Sequence, residues 1–453
     1  MKRILVANRG EIACRILRTC RRLGLETVAV HSEADAASLH VSLADRALPI
    51  GGPAPAQSYL LGDKIIEAAC AARVDAVHPG YGFLSENEDF ARAVQAAGLA
   101  WIGPDPKTIE DMGDKERARL LAKSAGVPVL PGSARFAPGD SAGLDAAANE
   151  VGFPLLVKAS AGGGGIGMRR VGRPEDLAAA VEATQSMAAR AFGDGTVYLE
   201  RFIAEARHVE IQVFGFGDGE AVHLHERDCS IQRRFQKIVE ESPAPGLPAG
   251  IREAMCEAAV ALCRQERYRG AGTVEFVLDA QSDRFYFLEM NTRIQVEHPV
   301  TEMVCGLDLV ELQIRLARGE RRPVASQAQV RSGGHAIECR LYAERPAKGF
   351  LPAPGVLARF EVPAAGPEVR IDTGVRSGDR ITHFYDPMIA KVIVHGPDRG
   401  AAIERMLAAL AGIRIEGVDT NLAFLQRVIA HPAFRAGEVR TNFVERHKAG
   451  LLS

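Results

Sequence analysis

Three stretches of the sequence carry side chains that could do chemistry together. The first is Lys158-Ala-Ser-Ala-Gly162-Gly163-Gly164-Gly165-Ile166-Gly167, which follows the apolar run Phe153 to Val157. Consecutive glycines let backbone N–H groups turn toward an anion without Cβ obstruction, and the lysine ahead of them adds a point charge for phosphate. The run is neither a Walker A loop nor a dinucleotide fingerprint, since the Gly-Lys pair and the third glycine are missing. A flexible surface loop would use the same glycines. The second stretch is a hairpin, Thr273 to Leu278 and Phe285 to Met290. If Leu278 lies opposite Tyr286, then Glu275 falls opposite Glu289. Opposed like charges destabilise a strand pair. A hard cation such as Mg²⁺ (or Mn²⁺) between them removes that cost and reaches nucleotide phosphates; two solvent-facing acids are the other reading. The third stretch is Asn291-Thr-Arg293-Ile-Gln295-Val-Glu297-His298. If it is extended, Arg293, Gln295 and Glu297 project to one side. An arginine can hold a small planar anion and a glutamate can remove a proton, although an exposed salt-bridge ladder has the same composition.

Elements that could position these groups alternate along the chain. Ile4 to Ala7 and Thr27 to Val30 predict short buried strands, with a helix from Ile12 to Leu23 between them. A helix around Tyr59 to Ala72 leads through Ala76-Val77 into the loop His78 to Phe83. This strand–helix alternation predicts a parallel sheet with helices on both faces. The middle of the chain predicts α+β structure with antiparallel hairpins. The last part, from His335, alternates strands such as Ile389 to Val394 with a helix over Ala401 to Leu410. Boundaries are expected near 103–114 and at the polar stretch Ser326 to Gly334. With 453 residues the chain is long enough for about three domains.

Composition excludes several classes. The formal net charge is −2, so there is no bulk attraction for nucleic acid or an anionic membrane. The eight cysteines form no C-x-x-C pair and read as thiols in a reducing compartment. MKRILVANRGEI lacks the apolar core of a signal peptide, and no stretch reaches the length of a membrane span. A cytoplasmic protein is expected. The 45 glycines are a surplus, five of them in the run before Met168.

Together these stretches resemble the biotin carboxylases of the ATP-grasp superfamily. The resemblance runs from ILVANRGE at 4–11 to Thr441-Asn442-Phe443. It is carried by HPGYGFLSEN at 78–87, MGDK at 112–115, KASAGGGGIGMR at 158–169, RHVEIQV at 207–213, ERDCSIQRR at 226–234, EMNTRIQVEHPVTE at 289–302 and FLPAPG at 350–355. It implies an α/β and α+β multidomain fold in three parts. These are a pre-ATP-grasp, Rossmann-like domain over 1–114, an ATP-grasp domain over 115–330 with a glycine-rich lid at about 131–203, and a C-terminal biotin carboxylase domain over 331–453. It further implies that Lys115 and Lys158 contact phosphate, with Gly163, Gly164 and Gly165 in the lid. Glu200 and Ile203 match the adenine hinge and His208 a nucleotide contact. Glu275 and Glu289, with Asn291, match the metal set. Lys237, Arg293 and Val296 match the bicarbonate site, Glu297 the base, and Arg340 the arginine that stabilises the biotin enolate. Tyr81 lies in the loop that approaches biotin.

The implied reaction activates bicarbonate with ATP as carboxyphosphate and carboxylates biotin on a separate carrier, because no Met-Lys-Met acceptor occurs in the chain. A biotin carboxyl carrier protein and a carboxyltransferase are therefore implied partners, in the manner of acyl-CoA carboxylase α-subunits. Arg15 and Arg18 resemble positions at the subunit contact of dimeric members. Two residues depart from the family pattern. Ile166 stands where Lys or Arg is usual, and Phe235 where histidine is common, which predicts weaker lid closure or a higher KM for ATP. They also motivate the alternatives of a non-catalytic ATP-binding subunit or a different ATP-grasp ligase. His223-x-His225 would share a strand face and could bind metal, but it reads as a plain strand pair, and Cys229 reads as structural.

Overall fold

The computed structural model describes residues 1–160, 167–233, 235–324 and 326–452. Gly163, Gly164, Gly165 and Ile166 lie outside the described residues.

The chain begins with a five-stranded parallel sheet in the order Arg46–Gly51, Glu26–Ser32, Arg3–Val6, Ala76–His78, Ala100–Trp101. Ile4, Leu5 and Val6 are 0% exposed, as a strand covered on both faces requires. Strand order reverses between Arg3–Val6 and Ala76–His78, and the crevice beyond their carboxyl ends is where such sheets bind ligands. Asn8 Nδ2 ties the two loops there, donating to the carbonyls of Pro79 at 2.7 Å and Tyr81 at 2.8 Å. Gly80 makes that approach possible. Its φ is +67°, and a Cβ would meet Asn8 Nδ2 at 3.0 Å.

An antiparallel sheet of eight strands forms the centre. Its order is Arg284–Asn291, Arg269–Asp279, Ala206–Phe216, Ala221–Arg233, Gln236–Ser242, His335–Tyr342, Met388–Gly396, Val369–Thr373. The sheet runs straight across the polar stretch Ser326 to Gly334, because Gln236–Ser242 pairs with His335–Tyr342. Alternation sorts the faces. Val209, Ile211 and Val213, with Val274 and Phe276, pack on a core shared with helix Ala249–Gln265. The residues between them, His208, Glu210, Gln212, Thr273 and Glu275, turn to the other face. Each fully buried aliphatic side chain contributes about 1.5–3 kcal/mol to holding that polar face in place.

A smaller three-stranded sheet, Met168–Val171, Leu155–Ala159, Val197–Arg201, stands over the cleft. Helices Leu144–Val151 and Leu177–Phe192 flank it, and Leu155, Val157, Val171, Val181 and Leu199 form its own core. The expected C-terminal helix spans Arg399–Gly412, started by Asp398, whose side chain accepts from the Ala401 N–H.

Three expectations need correction. Arg15 is not an exposed contact arginine. It is buried against Glu302 at 2.8 Å and Asp308 at 2.8 Å, while Arg18 is exposed. His223 and His225 do not share a regular strand face, because the ladder slips between His223 and Glu226 and His225 has φ +64°. Leu278 lies opposite Phe285 rather than Tyr286. Among the described residues no helix is long and apolar enough to cross a membrane.

Candidate active site

The polar face of the eight-stranded sheet forms the floor of a cleft of about 660 Å³, with the three-stranded sheet as its far wall. Glu275 does face Glu289, although Leu278 pairs one residue earlier than the simple hairpin count requires. A bulge at Leu288 absorbs the difference, so that Glu275 pairs with Glu289 while Phe276 pairs with Phe287. Desolvation in the cleft and the charge of Glu275 raise the Glu289 carboxyl above its ordinary range. Two opposed oxygen donors with that mutual repulsion fit a hard divalent cation. Asn291 Nδ2 donates to Glu275 Oε1 at 2.8 Å, and its Oδ1 accepts from Arg293 at 2.8 Å.

Lys237 links this pair to the rest of the site. Its Nζ lies 2.7 Å from Glu210, 2.8 Å from Glu275 and 2.7 Å from Glu297. Burial opposes charge on the ammonium, yet the three carboxylates hold it well above the usual lysine range. His208 Nε2 takes the other oxygen of Glu275 at 2.7 Å. Burial disfavours the imidazolium, but Glu275 outweighs it and raises the histidine.

Glu297 is 2% exposed. Its Oε2 accepts from Arg340 at 2.9 Å and its Oε1 from Lys237. Burial pushes this carboxyl up, but Lys237 and then Arg340 pull it well below the usual carboxylate range. Arg340 is also paired with Glu240 at 2.6 Å. Across the ladder Glu240 faces Glu338, and both are 0% exposed. Burial lifts the Glu240 carboxyl to about 7.

The segment after the hairpin is not uniformly extended. It bends at Thr292 and Arg293 and turns at Val296 and Glu297 into helix His298–Cys305. The side chains still converge, through bonding rather than alternation. Arg293 Nε donates to Glu86 at 2.8 Å, Gln295 Nε2 to Glu275 at 2.7 Å, and the Val296 carbonyl accepts from Lys391 at 2.8 Å.

Lys115 opens helix Lys115–Ser124 on the cleft wall. Lys158 and Glu200 stand on adjacent strands of the small sheet as an ion pair, and Ile203 lines the cleft just beyond them. Tyr81 sits apart, at the crevice of the parallel sheet, where its hydroxyl donates to Glu11. Phe235 lines the cleft with 64% exposure and a left-handed φ of +68°.

One central residue escaped sequence reasoning. Arg227 is 0% exposed and donates to Glu210 at 2.5 Å, Gln212 at 2.7 Å, Thr273 at 3.1 Å, Gln295 at 2.9 Å and Thr301 at 2.9 Å. The charged triplet Glu226-Arg227-Asp228 inside a strand was its available signal. Cys229 is buried, and its thiol is pushed well up, chiefly by burial.

Comparison with known proteins fits this geometry. Residues 1–109 match the biotin carboxylase N-terminal domain, 114–324 the ATP-binding domain of the carbamoyl-phosphate synthase L chain, and 338–446 the biotin carboxylase C-terminal domain. The chain is 50% identical to a biotin carboxylase of Halalkalibacterium halodurans, over 98% of each chain. It is also 50% identical to the mitochondrial methylcrotonoyl-CoA carboxylase subunit α of Arabidopsis thaliana, over 100% of this chain but 61% of that one. The biotin carboxylase domain of Hydrogenobacter thermophilus 2-oxoglutarate carboxylase, solved as a dimer with MgADP and bicarbonate, superposes with a TM-score of 0.94 at 44% identity, over 99% and 98% of the two chains. The Campylobacter jejuni biotin carboxylase gives 0.93 at 43% identity, over 98% and 99%. The chain belongs to the biotin carboxylase family, ATP-dependent ligases that carboxylate biotin.

Proposed function

We propose that this chain uses ATP and bicarbonate to carboxylate biotin on a carrier outside these 453 residues, as the first half-reaction of an acyl-CoA carboxylase. The observation that carries this is the position of Lys237, within 2.8 Å of the metal-type carboxylate Glu275 and the base Glu297 at once. Bicarbonate enters between Lys237, Arg293 and the Val296 N–H. Lys237 then turns part of its charge from Glu297 to the substrate, and the carboxylate regains basicity. Glu297 accepts the bicarbonate proton, and the oxyanion attacks the γ-phosphate of ATP. ADP leaves and carboxyphosphate forms. Lys115 and Lys158 neutralise phosphate charge, and the glycine run with Gly163, Gly164 and Gly165 excludes water. Held by Glu275, Glu289 and Asn291, Mg²⁺ would shield the phosphates. Carboxyphosphate then splits to CO₂ and phosphate. Phosphate takes the ureido proton, and Arg340 stabilises the enolate that captures CO₂. Glu200, Ile203 and His208 hold the nucleotide.

We assign the three functional parts to 1–114, 115–330 and 331–453. Strands of the last two parts share one sheet. A biotin carboxyl carrier protein, a carboxyltransferase and a second copy meeting near Arg18 are the proposed partners. The eight free thiols suit a cytoplasmic compartment. The test is ATP cleavage with free biotin. Turnover that requires bicarbonate supports the reading, and nucleotide binding without it favours a non-catalytic subunit.

A further inference from the structure

Lys391 has no role in the reaction as described, yet it is 0% exposed in the middle of strand Met388–Gly396. It lies directly opposite Arg340 on one neighbouring strand and Asp372 on the other. Its Nζ donates to the Val296 carbonyl at 2.8 Å. The same atom is 3.1 Å from Glu11 Oε1 and 3.8 Å from Asp372 Oδ2. Glu11 Oε1 is also the acceptor for the Tyr81 hydroxyl, while Glu11 Oε2 is buried with no hydrogen-bond partner among the described residues. One ammonium therefore touches the residue before the base and the carboxylate that holds the biotin-facing tyrosine. Asp372 is fixed behind it by Arg370 at 2.6 Å, and Arg370 reaches Glu302 at 2.6 Å.

Burying a lysine is an expensive way to stabilise a fold, since an apolar side chain of similar volume serves as well or better. What a buried, fully partnered cation does supply is a fixed separation between its acceptors. Here the acceptors belong to segments almost three hundred residues apart, at Glu11 and Val296.

We propose that Lys391 is a positioning residue that sets the Tyr81 loop against the Val296–Glu297 segment, so that biotin meets CO₂ where carboxyphosphate releases it. This rests on the function proposed above. Without Lys391, bicarbonate activation on the cleft side continues, because Lys237, Arg293 and Glu297 keep their own partners. Biotin then arrives out of register, and CO₂ escapes to water.

The experiment compares the full chain with Lys391→Met, Lys391→Arg and Tyr81→Phe, using free biotin. Lys391→Met should raise the KM for biotin about tenfold and lower the carboxybiotin formed per phosphate released. The KM for ATP should stay within about twofold. Lys391→Arg should restore part of the loss, and adding Tyr81→Phe to Lys391→Met should cost little more. Hydrogen exchange supplies a readout that needs no turnover. Lys391→Met, or Lys391→Arg where the first does not fold, should loosen 78–83 and 294–298 together. Parallel changes in every KM, an unchanged biotin-to-phosphate ratio, or exchange rising at 388–396 alone would overturn the proposal. A wild-type chain without bicarbonate-dependent turnover would instead overturn the functional reading, and the exchange result would still decide the role of Lys391.

Discussion

The two sheets that face the cleft hold their charges in different ways. On the eight-stranded sheet Lys237 has three carboxylate partners, Arg227 has five acceptors and Glu297 is clasped by two cations. On the three-stranded sheet Lys158 is paired with Glu200 of the next strand, a single ion pair among the described residues that a phosphate can replace. The first arrangement is assembled before substrate arrives, and its energetics are those of a preorganised site. On the function proposed above, the second exchanges partners on binding. The floor of the cleft is thus built for chemistry and the wall for capture and release.

The sharpest way to break that contrast is Arg227→Met. It strips the buried donor from Glu210, Gln212 and Gln295, and should cost about 3–5 kcal/mol in urea unfolding. A loss near zero would mean that the floor is not held by its charge network. Lys158→Met should leave the unfolding midpoint almost unmoved and raise the KM for ATP about tenfold. Equal effects of the two substitutions on stability would erase the distinction between the sheets.

A pH series tests the edge of the floor, where Arg233 at the end of strand Ala221–Arg233 pairs with Glu344 outside the eight-stranded sheet. Burial raises the Glu344 carboxyl to about 7, against the pull of Arg233, from an ordinary 4.5. Between those values the native chain holds a proton that the unfolded chain has released, so this group's contribution to stability falls as pH rises. Glu344→Gln lacks that decline. The variant's Tm minus that of the wild type should climb from pH 4.5 to 7 and then level off. A flat difference would contradict the assignment. The smallest effect is expected at the turn between strands Ala221–Arg233 and Gln236–Ser242, where Phe235→His adds a hydrogen-bonding side chain to the cleft and should lower the KM for ATP about twofold.

The sequence made part of this site legible, and the limits have physical causes. Alternation in TVEFVL identified a strand and its polar face, because one face is buried and period two is strict. The hairpin count put Glu275 opposite Glu289 through an assumed pairing at Leu278, and the real pairing differs by one residue. A bulge at Leu288 brings the acids back, and nothing in Phe-Leu-Glu announces a bulge. Arg293 and Glu297 were found on the expectation of an extended segment, although the backbone turns at Val296. Long-range bonds to Lys237, Glu86 and Arg340 do the converging instead. Arg227 left only the charged triplet Glu226-Arg227-Asp228 as a local signal, and Lys391 left none. Each acts through acceptors far away in sequence, which local spacing does not identify. The polar stretch Ser326 to Gly334 reads as a boundary, and it lies between the match to the ATP-binding domain and the match to the C-terminal domain, while a strand pair carries the sheet across it.

The central claim is that Glu297 removes a proton from bicarbonate so that its oxygen attacks ATP. Bicarbonate labelled with ¹³C and ¹⁸O tests it most directly, in the wild type and in Glu297→Gln. The account predicts labelled carbon in biotin and a bicarbonate oxygen in the released phosphate, with both transfers reduced by two or more orders of magnitude in the variant, at about the scale of a lost general base. ATP cleavage at the same rate with and without bicarbonate, or phosphate free of the label, would contradict it.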